Sequence, residues 1–222
     1  MDTQMKTDDA MQPPISPAAY PRSPMPEVSS VCIKPLTSHA DCRELADAIG
    51  EALGQLSRVI NTLDPTQYVS RSCDPAFGAS IGRHVRHILD HVANLDRAVS
   101  EGCVADYESR ARDSRLETDP ALALAEVDRL RQRLSHLASI DADRPATISI
   151  AITRDRPKAT LPSTLGRELS FVLSHTVHHH AIIRTLLCEL GLGTLIEPDF
   201  GLAPGTPRPS SSASDPPPAC AH

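Results

Sequence analysis

The sequence predicts an all-α protein: a four-helix bundle with a short β excursion before the last helix. Three observations point there. Apolar residues recur at helical spacing in four long stretches, cap and stop residues bound those stretches, and one alternating segment precedes the fourth.

The first stretch carries Leu45, Ile49, Ala52, Leu56, Val59 and Leu63 on one face, and Asp64-Pro65 stops it. The second runs Ile81, Val85, Ile88, Val92, Leu95 and Val99, ending near Gly102. Thr118-Asp119-Pro120 opens the third, a capping side chain followed by proline at the first turn; Val127, Leu130, Leu134 and Leu137 follow. The fourth starts near Ser163-Thr164 and continues to Leu190, with Gly191 and Gly193 behind it. Ahead of it, at about 146–161, Ile148, Ile150 and Ile152 alternate with smaller residues, and Asp155-Arg156-Pro157 offers a turn into a second short strand. The connections at 64–79 and 102–117 exceed tight up-and-down turns, so at least one crossover is expected.

Proline marks the limits of this domain. Of 20 prolines, seven fall in residues 1–36 and six in 203–222, where no apolar period runs. Such composition does not offset the entropy of ordering, so 1–36 and 203–222 are expected to be disordered tails around a domain at 37–202.

Charge and composition exclude several functions. The formal charge is −6, which offers no basic field for nucleic acid. No apolar run approaches the roughly 20 residues of a membrane-spanning helix. The first residues, MDTQMKTDDAMQPP, contain no signal-like apolar segment. Cys32, Cys42, Cys73, Cys103, Cys188 and Cys220 form no CxxC pair, and a cytoplasmic protein with reduced thiols is expected.

Seven of the ten histidines fall in two windows, both inside expected helices. His84, His87 and His91 lie in SIGRHVRHILDHV, and His175, His178, His179 and His180 in LSFVLSHTVHHHAII. His175 and His179 are four residues apart and so project from one face, shared with Val172, Ile182 and Leu186. One of His84, His87 and His91, on the flank of the second apolar stripe, is able to point at the same place. Three neutral imidazoles from two helices leave open positions on a divalent ion, as in catalytic sites. Several buried imidazoles without such a ligand are costly, which favours metal binding over a structural cluster. His39, His136 and His222 stand alone and are read as surface or satisfied residues.

Missing motifs narrow the chemistry. No Glu-x-x-His occurs in the second or fourth helix, as a di-iron carboxylate bundle requires, and there is no H-E-x-x-H. P-loop, G-x-G-x-x-G and G-x-S-x-G sequences are absent. The expected site is mononuclear, with histidine ligands only.

The two histidine stretches resemble those of the DinB/YfiT-like metalloprotein superfamily. Its bundles hold a metal by one histidine of the second helix and an i,i+4 pair of the last. The resemblance covers about residues 37–202, and its specific part is those two stretches. His87-Ile88-Leu89-Asp90 fits the second-helix pattern best, and the last-helix pair falls on His175 and His179. The implied ligands are therefore His87, His175 and His179, with His84, His91 and His178 able to replace or join them. Family members include transferases and isomerases that use low-molecular-weight thiols, so the resemblance implies thiol transfer to a small molecule. A metal-dependent hydrolase and a non-catalytic metal-binding or interaction bundle are the alternatives. It also implies a homodimer.

The remaining expectations follow from the site. The cofactor is one divalent transition metal, zinc first and nickel or iron next, because imidazole suits all three. Asp90 and Glu168 are placed to orient the imidazoles. His178 and His91 are the candidates for a catalytic role. The segment VADYESRARDSRLETD supplies Tyr107 and Arg110 as candidates for gripping an anionic substrate, against the plainer reading of a charged surface segment.

Overall fold

The computed structural model describes residues 38–72, 78–108, 113–153, 155–203 and 205–206, without the side chains of 38–41. The expectations for tail residues 1–36 and 207–222, and for Arg110, lie outside these residues. Five α-helices and a small sheet make up the described chain: α1 Ser38–Thr62, α2 Pro65–Val69, α3 Ile81–Glu101, α4 Pro120–Leu137 and α5 Leu165–Glu189. Strands β1 Ala105–Asp106, β2 Pro145–Ile150 and β3 Ala159–Thr164 lie between them, with 3-10 turns at Ser114–Glu117 and Gly193–Leu195. The fold is thus an all-α bundle with a short β excursion before the final helix.

Local chemistry sets the helix ends. Asp64 accepts from the backbone N–H groups of Thr66 and Gln67, while Gln67 reaches back to the Asp64 N–H, so the dipeptide that stops α1 also starts α2. Ser80 caps α3, and Gly102 ends it at φ 66, a left-handed conformation that glycine adopts without steric cost. Asp119 caps α4 ahead of Pro120, and Thr164 caps α5.

The expected apolar stripes form the core. Ile49, Leu53 and Leu56 of α1, Ile81, Val85 and Ile88 of α3, Val127 and Leu130 of α4, and Leu169, Val172 and Ile183 of α5 are all fully buried. Both α1 and α3 pack against α4 and α5. Helices that follow one another, α1 then α3 and α4 then α5, are therefore diagonal in the bundle. The first crossing uses the connection that contains α2, and the second uses the β-hairpin. The connection at 102–117, by contrast, joins neighbours.

The sheet has the order β1-β2-β3. Strands β2 and β3 pair antiparallel, with Ile148 opposite Leu161, so the expected hairpin is longer than 146–161. Strand β1 adds in parallel, Ala105 opposite Ile148. Two residues carry no alternation, and the sequence gives no sign of this strand. Among the described residues no helix is long and apolar enough to cross a membrane.

Candidate metal centre

Helices α3 and α5 run antiparallel and bring the two histidine windows face to face. Ascending α3 descends α5: His84 meets His179, His87 meets His175 and His91 meets Phe171. His87, His91 and His175 each offer one ligand nitrogen, and the three nitrogens lie within 4.8 Å of one another. The Nε2 atoms of His87 and His175 are 2.9 Å apart. Two nitrogens bound to one ion at zinc-like lengths lie about 2.9–3.4 Å apart for bond angles between 90° and tetrahedral. The donor set suits zinc, nickel or iron by the same test of chemistry.

The tautomer of His91 follows from its partner. Its Nδ1 lies 2.9 Å from the carbonyl oxygen of His87. A carbonyl only accepts, so Nδ1 of the neutral ring carries the proton and Nε2 keeps the lone pair needed for coordination. Metal-binding histidines characteristically have this kind of orienting bond.

His179 is buried, and its ring lies 4.6 Å from that of His175 and 4.5 Å from that of His87, edge-on to both. Its Nδ1 faces Nδ1 of His84 at 3.0 Å. The i,i+4 spacing thus places His179 beside His175, as expected, with this nitrogen turned to a different partner. Burial pushes the His179 imidazolium down to about 3, helped by the neighbouring histidines. Burial also lowers His84, with Arg83 adding to the effect. Both rings are neutral at physiological pH. His178 is exposed, 5.2 Å from the His179 ring, and His180 turns away from the cluster to stack on Phe200 at 4.4 Å.

Aromatic side chains wall one side. The chain has three Tyr, three Phe and no Trp. Two of these six belong here: Tyr107 stacks on His91 at 5.3 Å and Phe171 on His175 at 5.6 Å. Tyr107 follows β1 directly, so the parallel β1–β2 pair is what delivers it to α5. It is buried, unlike the surface segment suggested by the surrounding charges. Its hydroxyl donates to Glu168 at 2.8 Å, and burial, with the Glu168 charge, raises its pKa well above the usual phenol range.

Glu168 is fully buried and accepts from Ser163 at 2.5 Å and Arg167 at 2.7 Å besides Tyr107. It therefore supports the site through Tyr107. Asp90 pairs with Arg86 at 3.0 Å, and Arg86, itself buried, also meets Glu117 at 2.7 Å. That pairing ties α3 to the 3-10 turn. Sequence reasoning passes over Arg86 and reads Ser163 only as part of a helix start; the i,i+4 spacing of Arg86 and Asp90 was the available signal for the first. Among the described residues no cysteine joins the histidine cluster.

A cavity of about 520 Å³ opens on α5, lined by Ser170, Ser174, Val177 and His178 from the helix and by Leu202 and Ala203 from the segment behind it; of the clustered histidines it touches His178. Gly201 brings that segment close: a Cβ there would lie 2.7 Å from the Ala181 backbone nitrogen.

No solved structure matches the chain with significance. A protein of Rhizopus delemar described as FK506-binding protein 5 is 32% identical over 104 residues. The aligned part covers 46% of this chain but 26% of that relative, so the chain spans about a quarter of it. The family model described as DinB superfamily matches residues 48–183. That is more than half of the chain and takes in both histidine windows, and the chain belongs to the DinB superfamily.

Proposed function

We propose that the protein is a metal-dependent enzyme that joins a low-molecular-weight thiol to a small electrophile at a centre between α3 and α5. The observation that carries this reading is the convergence of His87, His91 and His175, one ligand nitrogen each, within 4.8 Å. A divalent ion held by three neutral imidazoles supplies an undiminished positive charge, which acidifies a thiol or water and polarises a carbonyl. Zinc is the first expectation, with nickel and iron next.

The chain's own residues favour a thiol over water as nucleophile. Water delivery calls for a carboxylate or imidazole positioned to receive a proton. Glu168, the carboxylate linked to the site through Tyr107, already accepts from Tyr107, Ser163 and Arg167. Each nucleophile must lose one proton, and a thiol starts far more acidic than water, so it depends less on a base beside the centre. His91 holds its proton on Nδ1 against the His87 carbonyl, which keeps its other nitrogen directed inward. Tyr107 and Phe171 exclude water from the side they cover. Of the two candidates for a catalytic role, His178 is the exposed one and lines the cavity on α5.

The test is a screen of metal-reconstituted protein with glutathione, cysteine and other small thiols against a chromogenic aryl halide. Conjugation that disappears in His175→Ala is the expected result. Ester hydrolysis without thiol would move the assignment to a hydrolase. Stoichiometric metal with neither activity would leave a non-catalytic metal-binding bundle.

A further inference from the structure

Burial sets the side from which a reactant meets the centre. His91 and His179 are buried, whereas His87 and His175 are half-buried, as is Phe171 beside them. On α5, Arg167 stands four residues before Phe171, and Phe171 four before His175, so the three share a stripe that leads to this side. The guanidinium carbon of Arg167 lies over the Phe171 ring, 5.5 Å from its centre. The same ring stacks on His175 at 5.6 Å. We infer that Arg167 is a specificity-determining residue that binds the carboxylate of the thiol reactant, so that the protein selects acidic thiols of amino-acid to short-peptide size. This rests on the reading of the centre as a site of thiol transfer.

Three observations carry it. The first is reach. Eight residues of helix rise about 12 Å, and the lean of Arg167 over Phe171 shortens its gap to the His175 imidazole. A thiolate at the ion and a carboxylate at Arg167 are then separated by the length of a cysteine or a short cysteine peptide, at about 3.3–3.6 Å per extended residue. The second is donor capacity. Nη1 of Arg167 donates to Glu168 at 2.7 Å, and among the described residues the guanidinium makes no other hydrogen bond. The side chain is 58% exposed, so the rest of its planar fork, which matches a carboxylate, is open to solvent.

The third observation is that neutralising Glu168 does not account for the placement. Tyr107 and Ser163 already donate to that carboxylate, and a pair with so exposed a partner contributes little. Attraction to the Phe171 face instead holds the guanidinium on the side toward the centre, so less freedom is lost when a carboxylate binds. The charges are complementary as well. A divalent ion on neutral imidazoles and a guanidinium together present two positive centres, which a thiolate and a carboxylate on one molecule match.

Co(II)-loaded protein would be titrated with thiols, and binding read from the thiolate-to-cobalt charge-transfer absorption in the near ultraviolet. N-acetylcysteine is compared with its amide, and glutathione with its diethyl ester, so each pair differs in carboxylate charge. The affinity ratio within a pair is compared between the wild type and each variant, which cancels the differing acidity of the two thiols. Arg167→Leu should lower that ratio about fivefold in at least one pair, by weakening the acid and leaving its neutral analogue unchanged. Arg167→Lys keeps the charge without the fork and should fall between. Cobalt per chain and a melting curve on each variant separate this from loss of fold, and Arg167→Gln replaces a misfolded Arg167→Leu. Ratios unchanged in both pairs, including equal weakening of acid and neutral thiol, would overturn the role of Arg167 and leave the thiol centre standing. No charge-transfer band with any thiol would overturn the thiol reading, and this assignment with it.

Discussion

Nδ1 of His91 lies 2.9 Å from the carbonyl oxygen of His87, one turn earlier on the same helix. That single bond fixes the tautomer of His91 and aims its other nitrogen at the space shared with His175. Replacing His91 with Ala removes a ligand without disturbing a helix that alanine favours. A chelator-competition titration should show metal binding weakened at least tenfold, on the order of known losses at orienting partners of metal ligands. Unchanged affinity would remove His91 from the centre.

Tyr107 and Glu168 form the buried bond behind the site. Tyr107→Phe keeps the stack on His91 and deletes one hydrogen bond to a carboxylate, a loss of about 1–2 kcal/mol. For a domain of this size that is a melting temperature lower by roughly 3–6 °C. Glu168→Ala strands the Tyr107 and Ser163 hydroxyls as well and should cost more, about 2–4 kcal/mol. The Arg167 pair adds little to this, because Arg167 is largely exposed. A double-mutant cycle on Tyr107→Phe and Glu168→Gln should show coupling; strict additivity would mean the bond is not formed.

Gly82 is the tightest approach in the bundle wall. A Cβ there would fall 2.2 Å from the Glu117 carbonyl oxygen and 2.6 Å from Cε1 of Tyr68. Helix propensity alone predicts that Gly82→Ala stabilises by about 1 kcal/mol. Backbone crowding against the 3-10 turn reverses the sign, and urea unfolding should show a loss of about 1–3 kcal/mol. A more stable variant would mean that α3 and the turn are further apart.

The run His178-His179-His180 separates by direction. His180 stacks on Phe200, with ring planes 18° apart, and burial lowers its pKa to about 4. His180→Leu should leave the metal content of the protein unchanged, as should His136→Ala at an exposed position of α4. Loss of an equivalent in either would place the ion elsewhere.

The helices were legible because their faces repeat every three to four residues and their ends carry local chemistry. Ser80, Asp119 and Thr164 each cap the helix that follows them, and Gly102 ends α3. The hairpin was legible from Ile148 and Ile150, whereas β1 is two residues held only by its neighbour β2. The site was legible as two windows of histidine. Which nitrogens meet was not, since that depends on the register between α3 and α5 and on side-chain rotamers. His175 and His179 do share a face, yet one turns to His87 and the other to His84. The burial of Tyr107 was likewise set by strand pairing, which its charged neighbours concealed.

The central claim is that His87, His91 and His175 hold a metal ion. Elemental mass spectrometry of untagged, reconstituted and dialysed protein measures it directly. The account predicts at least one transition-metal ion per chain in the wild type, and one fewer in each of His87→Ala, His91→Ala and His175→Ala. A wild type without metal, or three variants with undiminished metal, would contradict it.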